Sequence, residues 1–202
     1  CPVCNWRRAM KNSYQAQRVI EEVVKEKPKA RWLFLTLSTR NAIDGETLEK
    51  SLKHLTESFR RLFKYKKVSK NLIGFMRSTE VTVNKNDGSY NQHMHALLCV
   101  ESAYFKKQGQ YIKQSEWVDL WQKALQVDYR PVANIKAIKP NQKGDKDIES
   151  AIKETSKYSV KSSDFLTDDD EKNQEIVSDL EKGLYRKRML SYGGLLKQKH
   201  KI

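Results

Sequence analysis

The chain has 202 residues, 38% of them hydrophobic, and 39 Lys plus Arg against 25 Asp plus Glu give a formal net charge of +14. That length suits one sizeable core. No apolar run reaches the roughly 18–20 residues that span a bilayer, and the start lacks the charged, apolar and small-residue order of a signal peptide, so a membrane partner is excluded and the cytoplasm is the expected compartment. The basic excess recurs along the whole length, from Arg60–Lys70 through Lys106 and Lys107 and Lys136–Lys146 to Arg186–Arg188. Such a surface suits phosphate contacts, so the expected partner is a polyanion. The chain begins at Cys1, not at methionine, and residues upstream are expected.

Taken in chain order, residues 5–27 space Ala9, Val19, Ile20, Val23 and Val24 as a helix that stops at Pro28, an N-terminal arm over 1–28. Arg31–Thr39 is rich in β-formers and predicts a buried central strand. From Glu46 to Tyr65, Leu48, Leu52, Leu55, Phe59, Leu62 and Phe63 recur at three- and four-residue steps, the stripe of an amphipathic helix lying on a sheet. Leu72–Asn84 and Asn91–Val100 predict two strands joined through Asn86-Asp87-Gly88-Ser89, a hairpin signal. A helix over about Ser115–Gln126, a strand near Pro131–Lys139 and a helix over about Lys146–Lys161 follow. After the acidic stretch Asp168–Glu171 a last helix runs to about Arg188. The order β, α, β, β, α, β predicts an α+β, ferredoxin-like fold with an antiparallel central sheet. The catalytic domain is expected over 29–165 and a C-terminal helical extension over 166–202.

The chemistry concentrates on two elements. His93 and His95 are one residue apart on a predicted strand, so both imidazoles face the same way. With Asp87 and Gly88 as a two-residue turn, Glu80 lies opposite His95 and Thr82 opposite His93. A His, His, carboxylate set with open positions suits a divalent ion such as Mn²⁺ or Mg²⁺ that polarises a phosphate oxygen. Met94, Ala96 and Leu98 face the other way, with Val81 and Val83, as core residues. Further on, Glu154, Tyr158 and Lys161 fall at i, i+4 and i+7 on one predicted helix and share a face. A tyrosine hydroxyl titrates near 10 when unperturbed, so it needs a polarised phosphate and nearby positive charge to attack at neutral pH. Lys161 supplies the charge, and Glu154 can serve as a general base.

Phe34-Leu-Thr-Leu-Ser-Thr39, the hairpin from Arg77-Ser-Thr-Glu-Val-Thr-Val-Asn84 to Gln92-His-Met-His-Ala-Leu-Leu98, and Glu154-Thr-Ser-Lys-Tyr-Ser-Val-Lys161 together resemble the three ordered motifs of HUH-type rolling-circle replication initiators from small plasmids of Gram-positive bacteria. The resemblance covers nearly the whole chain. It implies a metal-bearing sheet, a helix bearing the nucleophile, nicking at a single-stranded loop of the plasmid origin in a bacterial cytoplasm, and recruitment of a host helicase. It carries His93, His95 and Glu80 over as metal ligands and Tyr158 as the nucleophile. Glu154 matches the glutamate of the subgroup that pairs one tyrosine with a carboxylate for termination. Met94 departs from the large aliphatic residue usual between the histidines. Cys1-Pro-Val-Cys4 followed by Trp6-Arg7-Arg8 resembles the family's cysteine-rich N-terminal element; two thiolates at this spacing are half of a structural Zn²⁺ site, and a pair of free thiols is the alternative.

Two other functions stay open at this level. An HUH relaxase or transposase would use the same chemistry on other DNA ends. A non-catalytic origin-binding or RNA-binding protein would keep the basic surface without needing Tyr158. For reading the origin sequence, the helix carrying Trp117–Leu125 and the basic C-terminal stretch are candidates.

Overall fold

The computed structural model describes residues 2–138, 146–156 and 169–201, with side chains of 2–6, 146 and 147 not described. In chain order the elements are α1 (Pro2–Glu26), β1 (Arg31–Ser38), α2 (Gly45–Leu62), α3 (Lys66–Ser69), β2 (Leu72–Val83), β3 (Tyr90–Val100), α4 (Ala103–Lys106), α5 (Gln114–Leu125), β4 (Ala133–Ile138), α6 (Lys146–Ser156), α7 (Asp170–Leu184), β5 (Leu190–Gly193) and α8 (Gly194–His200). The strands form one antiparallel sheet in the order β4-β1-β3-β2-β5. The first four strands have the ferredoxin-like arrangement, in which β3 is inserted between β1 and β2. This is the α+β fold with an antiparallel sheet that the element order predicts, consistent with an HUH endonuclease architecture.

Strand alternation divides the apolar residues between two faces. Leu33, Leu35 and Leu37 of β1 and Met94, Ala96 and Leu98 of β3 face α2 and α5, whose Leu55, Phe59, Leu62, Trp117, Trp121 and Leu125 close that side. α2 starts at an N-cap, Asp44, whose side chain accepts from the Thr47 amide while Thr47 accepts from the Asp44 amide, and its predicted stripe of Leu48, Leu52, Leu55, Phe59 and Leu62 is buried. The opposite face carries Trp32, Met76, Leu97 and Cys99 and is covered by α1, through Ala16, Val19, Ile20 and Val23, and by α6, through Ile148, Ala151 and Ile152. A third cluster joins α7 to the hairpin and α2 through Ile176, Leu180, Val81, Val83, Tyr90 and Leu48. There the Tyr90 hydroxyl donates to Asp179 at 2.8 Å.

The hairpin register differs from the sequence expectation by two residues. Glu80 lies opposite His93 and Ser78 opposite His95, not Glu80 opposite His95. The turn takes four residues, Lys85 to Gly88, in place of two. Asn84 and Ser89 close the ladder with an Asn84 amide to Ser89 carbonyl bond of 2.8 Å, the Gly88 amide reaches back to the Asn84 carbonyl at 2.8 Å, and Gly88 has φ +73°. Asn84 and Asp87 side chains accept from the Asn86 and Ser89 amides within the loop, an Asx preference that competes with the tighter turn. A slip of two preserves the facing of every side chain, since the strand period is two.

The C-terminal region also departs from expectation. The last predicted helix ends at Leu184, and the chain then adds an edge strand, β5, and a short helix, α8. Gly194 makes the link between them possible: it has φ +59°, and a Cβ there would meet the Ile73 carbonyl oxygen at 2.4 Å.

Candidate metal centre

On the α1/α6 face of the sheet, β2 contributes Glu80 and β3 contributes His95, and α6 lays Glu154 over them. Ligand atoms of Glu80, His95 and Glu154 lie within 4.8 Å of one another. Glu80 is diagonal to His95 in the ladder, a separation that a long side chain bridges, and its Oε2 sits 3.0 Å from His95 Nε2. The other ring nitrogen, Nδ1, is 3.2 Å from Thr36 Oγ1 on β1. Phe34 stacks on the same imidazole with ring centroids 5.7 Å apart. His95 is therefore held in place from three sides, with 9% of its surface exposed.

Glu154 reaches the cluster because α6 buries Ile148, Ala151, Ile152 and Thr155. These positions recur at three- and four-residue steps and leave Glu154 at the edge of the buried stripe. Beside it lies a cavity of about 260 Å³ lined by Phe34, Lys136, Ile138, Ser150 and Ala151.

His93 stacks beside His95 with centroids 6.2 Å apart, directly across from Glu80. Its side chain is not one of the three that converge within 4.8 Å. Burial, and next to it the neighbouring His95, pull the His93 imidazole below its ordinary value, while Glu80 acts in the opposite direction. Tyr158 and Lys161 lie outside the described residues, as does Cys1, and of Cys4 only the backbone, on α1, is described.

The donor chemistry fits a divalent cation. One imidazole and two carboxylates offer oxygen and nitrogen donors and leave positions free for a substrate oxygen, a set suited to Mn²⁺ or Mg²⁺. The Thr36 contact is the kind of outer partner that fixes a ligating imidazole's tautomer. Two of these roles escaped the sequence reading. Glu154, expected as a base, also lies among the candidate ligands. Thr36 lay within a recognised motif, yet only the β1–β3 register, which places it opposite His95, gives it a role. The Trp117–Leu125 helix, a candidate for reading DNA, turns Trp117 and Trp121 into the core.

With this geometry in hand, comparison with known proteins decides the family. The model of a family described as "Replication protein" matches residues 1–202. The chain belongs to the replication protein family. A "Replication protein" of Staphylococcus aureus is 56% identical over 192 residues, covering 95% of this chain and 82% of that relative. A "Protein rep" of Lactiplantibacillus plantarum is 54% identical over 199 residues, covering 98% of this chain and 63% of that relative. A "Protein rep" of Streptococcus pneumoniae is 47% identical over the same length, and the chain spans 60% of it. No solved structure matches the chain. Among the described residues, no helix is long and apolar enough to cross a membrane.

Proposed function

We propose that this replication protein initiates rolling-circle replication of a small plasmid in the bacterial cytoplasm by nicking one strand of the origin. The observation that supports this reading best is the convergence of Glu80, His95 and Glu154, the last of which precedes Tyr158 by four residues in the sequence. A divalent ion held there would act as a Lewis acid toward the scissile phosphate. In the proposal His93, on the same face, adds a further donor.

Tyr158 Oη forms a bond to phosphorus as the P–O3′ bond breaks. The phenol proton is released, the 3′ oxygen takes up a proton, and the phosphodiester energy is kept in a 5′-phosphotyrosine beside a 3′-OH that primes synthesis. Lys161, three residues on, provides positive charge that favours the phenolate. Termination needs a base for water or a DNA hydroxyl, and Glu154 has that role when its carboxylate is not engaged as a ligand. The N-terminal cysteines would add a structural Zn²⁺ site, and a host helicase would extend the nicked region.

The test is a denaturing gel of labelled stem-loop oligonucleotides incubated with Mn²⁺ and either the wild type or Tyr158→Phe. A metal-dependent, protein-linked DNA band that disappears in Tyr158→Phe is expected. Absence of cleavage on every stem-loop, with DNA binding intact, would point to a non-catalytic origin binder. Cleavage of conjugative-transfer or transposon ends in preference to plasmid origins would favour a relaxase or transposase.

A further inference from the structure

Arg77 occupies a position that the nicking chemistry does not use. It lies on β2 between Met76 and Ser78, so its side chain is on the α2/α5 face, opposite the metal cluster. The residue is 7% exposed. Its guanidinium donates only a long hydrogen bond among the described residues, 3.4 Å to Thr79 Oγ1, and sits 5.6 Å from the Phe59 ring centroid. Among the described residues it forms no ion pair. Burial, with Arg60 and Arg188 nearby, brings its pKa down to about 10, so it stays charged at neutral pH. A buried guanidinium without a carboxylate is costly unless an anion completes it.

The side chain lines a cleft of about 450 Å³ between the C-terminal half of α2 and the segment leading into β5. Lys53, Arg60, Arg186 and Arg188 line it as well, Lys187 does so while paired to Glu49 at 3.2 Å, and Glu57 is the one lining carboxylate. Arg186 holds the left-handed backbone region at φ 53°, which is unusual for a residue with a side chain and sets the course of the Arg186–Arg188 turn along the rim. Forked guanidiniums around a charged, half-enclosed space match the oxygens of a phosphodiester better than a single carboxylate.

We propose that this cleft binds a backbone phosphate of duplex DNA flanking the nicked single strand. β5 is the edge strand of the sheet, so a duplex leaving the metal face can pass round that edge to the cleft. The inference rests on the DNA reading above but not on nicking itself.

The experiment follows anisotropy of a labelled 20-base-pair duplex and of a labelled eight-nucleotide single strand over a KCl series. Arg60→Gln/Arg188→Gln is compared with an equal charge change elsewhere, Lys106→Gln/Lys107→Gln, and with Arg77→Met. Each phosphate contact contributes about 0.9 to the slope of log K against log salt. The cleft pair is expected to flatten the duplex slope by roughly 1.8, to weaken duplex binding about tenfold or more at low salt, and to leave binding and Mn²⁺-dependent cleavage of the single strand unchanged. Arg77→Met should weaken duplex binding without lowering Tm. An unchanged slope in the cleft pair, an equal change in the lysine pair, or a fall in Tm that accounts for the Arg77→Met loss would overturn the proposal. So would polyglutamate competing as well as duplex, which would indicate an acidic protein partner. Failure of the wild type to nick any oligonucleotide, with the cleft effect present, would remove the nicking reading alone.

Discussion

On the α6 face of the sheet, the polar side chains described at the metal cluster answer one another: His95 stands between Glu80 and Thr36, and Glu154 closes over them. On the α2 face the packing is almost wholly apolar, built on Leu33, Leu35, Leu37, Phe59, Trp117 and Trp121, and Arg77, which forms no ion pair among the described residues, lines a basic cleft. The same pleated strands supply both faces, since Glu80 and Arg77 are three residues apart on β2. The contrast teaches where the fold invests in stability and where it reserves chemistry. One face is held by packing and carries its charge at a rim; the other gives up apolar contact to keep a cluster of donors.

If that division holds, the largest loss of stability comes from the apolar face. Trp121 is fully buried and its Nε1 donates to the Ser38 carbonyl at 2.9 Å. Trp121→Ala is expected to cost about 3–5 kcal/mol in chemical denaturation, and an effect under about 1 kcal/mol would mean that α5 does not close the core. Glu80→Gln should leave the fold intact and reduce Mn²⁺-dependent nicking by roughly 10³-fold, the order expected when several kcal/mol of metal-borne stabilisation is lost. Thr36→Val removes the partner of His95 Nδ1 at nearly constant volume. It should weaken Mn²⁺ affinity by about 10–100-fold with little change in stability.

The smallest effect concerns Cys99, buried at 0% exposure beneath α1 and α6. Burial, reinforced by the Glu101 carboxylate and opposed more weakly by Lys27, pushes its thiol up to about 12. A raised folded pKa favours the neutral form, so this contribution to stability is complete below the ordinary thiol value near 9, and it fades as pH climbs toward 12. Cys99→Ala should flatten that part of the alkaline decline in urea midpoints; an unaltered decline would place its cause elsewhere.

Sequence pattern carried the fold where periodicity was strong. The α2 stripe and the alternation of His93, Met94, His95 and Ala96 follow directly from element periods, and the facing of Glu80 survived a wrong register because the error was two residues. The exact turn was not legible, since Asn84 and Asp87 side chains choose between two- and four-residue loops by local hydrogen bonds. β5 was missed because Leu190–Gly193 is a short edge strand without alternation, and it pairs only through contacts distant in sequence. The candidate site was legible as a list of residue types. Its assignment was not, because placing Glu154 with the ligands and Thr36 behind His95 requires knowing how α6 and β1 lie against the hairpin. Arg77 reads as an ordinary strand residue until it is known to be buried and, among the described residues, to form no ion pair.

The most direct test of the metal centre is a Mn²⁺ titration of the wild type and of His95→Ala, followed by the electron paramagnetic resonance signal of the free ion, with circular dichroism confirming that both are folded. One bound equivalent is expected in the wild type, and its loss in His95→Ala. Equal binding by both proteins would contradict it.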